Sequence, residues 1–128
     1  MLDHLGITVA DFPRSVAFYK KALAPLSIIV IKELTAADTG ANAHVGFGRD
    51  KKAVFWIGDG AQPRGTIHIA FSAPSRSAVE VFYRDALAAG GRDNGPPGLR
   101  KHYHANYYGA FVLDPDGNNV EAVCHQPG

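Results

Sequence analysis

A chain of 128 residues that is 46% hydrophobic is long enough for one domain with its own core and needs no disulfide or metal staple. Thirteen Lys and Arg against twelve Asp and Glu leave a formal net charge of +1, so there is no basic field to hold a nucleic-acid backbone and no polybasic membrane anchor. No apolar run approaches the ~18 residues of a membrane span, and MLDHLG lacks the regions of a signal peptide, so a cytoplasmic protein is expected. The single cysteine, Cys124, suits a reducing compartment and reads as a small buried hydrophobe rather than a nucleophile.

In chain order, Leu5, Ile7 and Val9 alternate with His4, Gly6 and Thr8, the period of a strand with one buried face. Asp11 is placed to cap a helix carrying Phe12, Val16, Tyr19 and Leu23 along one side, ended by Pro25. Strands are expected over 26–34, 43–48 and 53–58, with Arg49-Asp50-Lys51-Lys52 as a turn. The second half begins alike: Ile67, Ile69 and Phe71 alternate with His68, Ala70 and Ser72. Ser75 caps a helix with a stripe of Val79, Phe82, Tyr83, Ala86 and Leu87, and Gly90-Gly91 stops it. A Gly- and Pro-rich stretch, 92–100, follows. Two further strands, in YYGAFVLD and NNVEAVC, are joined by the turn Asp114-Pro115-Asp116-Gly117.

The two halves are copies. Residues 2–23 align without a gap on residues 66–87 at an offset of 64, which sets His4 on His68, Phe18-Tyr19 on Phe82-Tyr83 and Ala22-Leu23 on Ala86-Leu87. The reading is one α+β domain over 1–128, built from two βαβββ modules, about 1–60 and 65–126.

The repeated histidine carries the functional argument. In each copy it shares its strand face with small residues, while the opposite face holds the large aliphatics that pack under the helix. One such histidine is more simply a hydrogen-bonded structural residue; its recurrence beside small neighbours points to a concave face with room for a ligand. Glu121 lies in an apolar strand, where a carboxylate needs a cation or a strong donor, a buried ion pair being the plainer reading. Two imidazoles and one carboxylate form a ligand set that leaves coordination positions open, as in mononuclear iron or zinc sites.

DHLGITVADFPRSVAFYKKAL, HIAFS and LDPDGNNVEAV resemble the vicinal oxygen chelate superfamily, which includes glyoxalases, fosfomycin-resistance thiol transferases, extradiol dioxygenases and bleomycin-binding proteins. The resemblance spans essentially the whole chain. It implies two modules whose curved mixed sheets surround a central cleft, with metal ligands on the first and last strand of each module. His4 and His68 match the first-strand ligands and Glu121 the last-strand ligand of the second module. Trp56 or its neighbour Ile57 occupies the remaining place, and neither binds a metal.

That departure separates this chain from glyoxalases that form lactoylglutathione, whose fourth ligand takes part in proton transfer. It brings the chain nearer to the three-ligand dioxygenases and thiol transferases. His104 matches the dioxygenase spacing before Asp114-Pro115-Asp116-Gly117 and Glu121, although Phe111 stands where that group has its active-site tyrosine. No residues match the phosphonate-binding set of the thiol transferases.

Residues 98–111 add Arg100, Lys101, His102, Tyr103, His104, Tyr107 and Tyr108 on a loop, where binding residues gather. A solvated loop with structural tyrosines is the plainer reading. The functional one makes His104 the acid or base, and assigns substrate contact to Trp56, Arg100, Lys101, His102, Tyr107 and Tyr108. His44 and His125 read as surface histidines. The expected protein is a metal-dependent lyase, dioxygenase or transferase, taking Fe, Mn, Ni or Zn and a small oxygenated molecule that chelates it. It is expected to work as a homodimer, with neither nucleic acid nor membrane as partner. The competing class is a non-enzymatic protein of the bleomycin-resistance type that sequesters a small aromatic compound.

Overall fold

The computed structural model describes residues 2–60 and 65–128; Met1, at the start of the first expected module, and residues 61–64 between the modules lie outside the described residues. The first module runs β1 (Leu5–Val9), α1 (Phe12–Leu23), a 3-10 turn (Ala24–Leu26), β2 (Ile29–Leu34), a short α2 (Ala36–Thr39), β3 (His44–Arg49) and β4 (Lys52–Asp59). The second runs β5 (His68–Ser72), α3 (Arg76–Ala88), β6 (Arg92–Leu99), β7 (Tyr108–Leu113) and β8 (Asn119–Cys124). Each forms its own four-stranded mixed sheet with the same order, β1-β4-β3-β2 and β5-β8-β7-β6, and the first strand is parallel to the last.

Both helices begin where their caps predict. The Asp11 carboxylate accepts from the Arg14 N–H at 3.1 Å, and the Ser75 hydroxyl accepts from the Ala78 N–H at 3.1 Å. The buried face of α1 is turned from the expected stripe: Phe18, Tyr19, Ala22 and Leu23 are fully buried, whereas Phe12 and Val16 pack at the edge. A second helix is there to be covered, since α1 packs on α3. The rings of Phe18, Tyr19, Phe55 and Phe71 meet in succession at 5.0, 5.0 and 5.3 Å, so one aromatic chain crosses from the first module into the second.

The Gly- and Pro-rich stretch is a strand after all. β6 bonds to β7 alone, so Pro96 and Pro97 lie on a sheet edge, where a missing N–H is tolerated, and the register slips on either side of Gly95. The Arg100 guanidinium closes this irregularity, donating to the carbonyls of Gly98 at 2.7 Å, Pro96 at 2.8 Å and Gly109 at 3.1 Å. α2 was not expected from sequence; it rests on a capping box in which Thr35 and Asp38 each accept from the other's N–H.

The two hairpin turns tie the modules together reciprocally. Arg49, closing β3, donates to the Ser72 carbonyl at the end of β5, and the Ala10 N–H at the end of β1 donates to Asp116 in the β7–β8 turn. Beside it, buried Asp114 accepts the Tyr19 hydroxyl at 2.6 Å and the Asn118 amide at 2.9 Å. Burial first, and then the Asp114 charge, push the Tyr19 phenol well above its ordinary pKa. The shared core thus lies between the helix-bearing faces, and the histidine-bearing face of each sheet is turned away from it.

Candidate functional site

On β5 the alternation holds: Ile69 and Phe71 point to the core, and His68, Ala70 and Ser72 are exposed. β8 lies beside it in register, Ala70 opposite Glu121 and His68 opposite Asn119. That pairing brings His68 Nε2 to 3.1 Å from Glu121 Oε1. The two side chains sit in unlike surroundings, the histidine 51% exposed and the glutamate 2%.

The other imidazole nitrogen is fixed. His68 Nδ1 lies 3.1 Å from the Asn119 carbonyl oxygen, an atom that only accepts, so Nδ1 carries the proton. Nε2 then faces a carboxyl oxygen, and a proton or a cation between them satisfies both atoms. The second carboxylate oxygen accepts the Tyr107 hydroxyl. Burial, then the hydrogen bond to Glu121, raise the Tyr107 pKa to about 12, so it is a neutral donor throughout the physiological range. Gly109 leaves the space the carboxylate occupies; a Cβ there would stand 3.3 Å from Glu121 Oε2. Phe111, directly opposite Glu121 on β7, stacks on the His68 ring with centroids 6.3 Å apart.

In the first module the same face carries His4, Gly6 and Thr8, and strand register settles the residue that sequence left open. Gly6 is opposite Trp56 on β4, as Ala70 is opposite Glu121 on β8, and Gly6 and Ala70 correspond in the repeat. Trp56 is therefore the counterpart of Glu121. Ile57 pairs with Ile7 and is fully buried in the core. The indole lies against Gly46, where an added Cβ would meet it at 2.9 Å. His4 Nδ1 is 2.8 Å from an Asp3 carboxylate oxygen, and the other oxygen accepts Lys52 Nζ at 2.7 Å.

The structure thus joins His68, Glu121 and Tyr107, and sets His4 and Trp56 on the other sheet. Among the described residues of one chain, no three of His, Cys, Asp and Glu are grouped as for a metal ion. Arg100 is engaged with three carbonyls and lies over the Phe111 ring at 5.4 Å. Tyr108, one residue beyond Tyr107, points to the opposite face, where its hydroxyl donates to Glu80 at 2.7 Å and its ring lies under Arg76. Lys101, His102 and His104 are exposed on the β6–β7 loop. His102 packs on Tyr103 at 4.2 Å, and His104 Nδ1 accepts the Asn106 N–H at 3.1 Å. His125, expected as a bland surface residue, stands between the His104 ring at 5.6 Å and the Tyr107 ring at 5.2 Å. Asn119 and Asp3, which hold the two histidine rings, were missed from sequence; Asp3 was legible as the neighbour of His4, whereas Asn119 needed the strand register.

Two βαβββ modules with a histidine at the head of each define the class of glyoxalase-like α+β proteins. A family profile described as the Glyoxalase/Bleomycin resistance protein/Dioxygenase superfamily matches residues 1–122, and the chain belongs to that superfamily. Among solved structures, it is similar to a glyoxalase/bleomycin resistance protein from Albidiferax ferrireducens T118, with a TM-score of 0.74, 24% identity, and coverage of 94% of this chain and 96% of that one. An E144Q mutant of glyoxalase I from Zea mays gives a TM-score of 0.72 at 22% identity, over 95% of this chain and 46% of that one. A family enzyme from Burkholderia phytofirmans PsJN gives 0.70 at 18% identity, over 97% and 98%. No curated protein sequence matches. At these identities the structural likenesses establish the fold. Among the described residues no helix is long and apolar enough to cross a membrane.

Proposed function

We propose that the protein is a metal-dependent enzyme acting on a small oxygenated molecule, with His68, Glu121 and His4 as the protein's metal ligands. The observation that carries this is the 3.1 Å separation of His68 Nε2 and Glu121 Oε1 on adjacent strands. Two donors held on one cation at ~2.0–2.1 Å stand roughly 3 Å apart, so the pair fits a shared divalent ion as it stands. Ring orientation by an oxygen acceptor on the far nitrogen is the usual support of a metal-binding histidine, and both His68 and His4 have it.

His4 lies on the other sheet, and the two histidine faces turn away from the shared core. The proposal therefore includes a homodimer in which His4 of one copy meets His68 and Glu121 of a second, giving two equivalent sites. The donor set suits Fe, Mn, Ni or Zn. A divalent ion there supplies Lewis acidity to chelating oxygens of the substrate. The chain's own residues do the rest. Tyr107 orients Glu121 through its hydroxyl, Trp56 offers a flat wall from the first module, and at the rim Lys101 supplies positive charge and His102 a ring nitrogen for hydrogen bonding. His104 transfers the proton: its Nδ1 accepts from Asn106, so Nε2 carries hydrogen in the neutral ring.

Metal analysis of protein purified without chelator or nickel resin tests the reading, with about one ion per chain expected and none after His68→Ala or Glu121→Ala. Sedimentation at micromolar concentration should give a dimer; a monomer that retains metal would remove His4 from the set. Once a screen of diphenols, 2-oxo acids and epoxides finds a substrate, His104→Ala should slow turnover roughly 100-fold with metal retained.

A second reading rests on a different observation. Glu121 already has His68 and Tyr107 as partners within the chain, so its buried carboxyl group is satisfied without a metal, and Trp56 and Phe111 supply rings for stacking. Protein that carries no metal and holds a planar aromatic compound without turning it over would establish this sequestering role instead.

A further inference from the structure

The two repeated histidines are held by unlike partners. His68 gives its Nδ1–H to the backbone of Asn119, an acceptor fixed by the β5–β8 ladder itself. At the corresponding place in the first module stands Val54, one residue before Phe55, the partner of Leu5. The Nδ1–H of His4 goes instead to a side chain, Asp3, and Asp3 is held in turn by Lys52, the first residue of β4. The repeat offset puts Ile67 in the place of Asp3, so the second module has no carboxylate there.

We infer that Asp3 and Lys52 form a positioning clamp that holds His4 as its Nδ1–H tautomer and presents Nε2 for coordination. This inference rests on the reading of His4 as a ligand. Two geometric features carry it. Asp3 accepts from both side chains at once, 2.8 Å from His4 and 2.7 Å from Lys52, one oxygen to each. Lys52 follows a two-residue turn in which Asp50 and Lys51 both take positive φ, 52° and 65°, which fixes where β4 starts against β3. An exposed ion pair of this kind contributes little to folding stability, so its effect belongs on the ring it orients rather than on the fold. A carboxylate behind an imidazole also makes the far nitrogen a better donor.

The test uses the full chain with zinc as the probe. Long-range proton–nitrogen NMR of the metal-free protein in mildly alkaline buffer reads the His4 tautomer directly, and chelator competition reads zinc affinity. The wild type should show His4 protonated on Nδ1. Asp3→Ala should move the proton to Nε2, the form preferred by an unconstrained imidazole, and weaken zinc binding roughly tenfold with an unchanged melting temperature. Lys52→Ala should give the same shift in smaller measure, and Asp3→Asn, which keeps an oxygen acceptor, should retain the tautomer and most of the affinity. His68 should stay protonated on Nδ1 in every variant. If His4→Ala weakens zinc binding but Asp3→Ala does not, or if wild-type His4 carries its proton on Nε2, the clamp is overturned and the ligand reading stands. If His4→Ala leaves zinc affinity unchanged, the ligand reading fails and the clamp fails with it.

Discussion

The two modules share strand order, capped helix and histidine position, yet only one has a carboxylate at the place on its last strand that lies opposite Gly6 or Ala70. At the place where β8 presents Glu121, β4 presents Trp56, whose indole covers Gly46. A sheet of this construction brings its first and last strands side by side, so the side chains of both reach one spot whatever they are. The scaffold makes these two positions equivalent, and the residues that occupy them differ in kind. In the second module that residue is a buried carboxyl group partnered by His68 and Tyr107. In the first it is an aromatic ring lying against Gly46.

The core is where the modules are least independent, and there the largest effect is expected. Phe55 of the first module packs on Tyr19 and on Phe71 of the second, and is almost fully buried. Phe55→Ala should cost about 3–5 kcal/mol in denaturant unfolding, as a single cooperative transition. Two separated transitions would show that each module folds alone and that the shared core is not shared.

Exchange of the two last-strand residues sharpens the comparison next. Glu121→Gln removes the anion and should reduce zinc affinity by about 100-fold or more, whereas Trp56→Ala should leave it within a few-fold. Trp56→Glu places a carboxylate opposite Gly6, as Glu121 is opposite Ala70, and should tighten metal binding. On the proposed ligand set, the wild type should form no useful lactoylglutathione from the hemithioacetal of methylglyoxal and glutathione, because Trp56 offers no group to transfer the proton. Robust isomerisation by the wild type would break the equivalence of position 56 with the fourth ligand.

Much of this was legible in the sequence because a duplication checks itself: His4 and His68, Asp11 and Ser75, and the two aromatic stripes each support the other. β6 was obscured because Gly95, Pro96 and Pro97 argue against a strand, and only its place at a sheet edge removes the objection. The choice between Trp56 and Ile57 turned on a one-residue register that neighbouring strands alone specify. Adjacent Tyr107 and Tyr108 looked alike on a loop; strand geometry sends one to Glu121 and the other to Glu80.

The tyrosines at the repeat offset give a smaller contrast. Tyr19 bonds across to Asp114 in the other module, while Tyr83 has only the charge of Asp93 nearby, within its own. Tyr19→Phe removes a buried donor to a carboxylate and should cost about 1.5–3 kcal/mol at neutral pH; Tyr83→Phe should cost less. The Tyr19 pKa is raised in the fold, so its contribution is complete below the unfolded value of about 10 and is lost as pH rises above it. The wild type should therefore lose stability at high pH more steeply than Tyr19→Phe. Parallel alkaline profiles would remove the Tyr19–Asp114 bond from the inter-module contact.

The smallest effect is expected at Tyr107, and it separates support of the site from the site itself. The hydroxyl donates to the oxygen of Glu121 that His68 does not approach. Tyr107→Phe therefore leaves Nε2 and Oε1 in place and takes away only the bond that turns the carboxylate plane. The ring is half-buried, and water can replace the lost donor in part, so about 1 kcal/mol of stability and a loss of zinc affinity below tenfold are expected. The raised pKa of about 12 gives the sign with pH: the hydroxyl supports the fold fully below pH ~10 and progressively less above it, and the phenylalanine variant lacks that dependence. A Tyr107→Phe protein that loses metal as completely as Glu121→Gln would show that the phenol is itself a ligand, and the donor set would then have to be redrawn around Tyr107, Glu121 and His68.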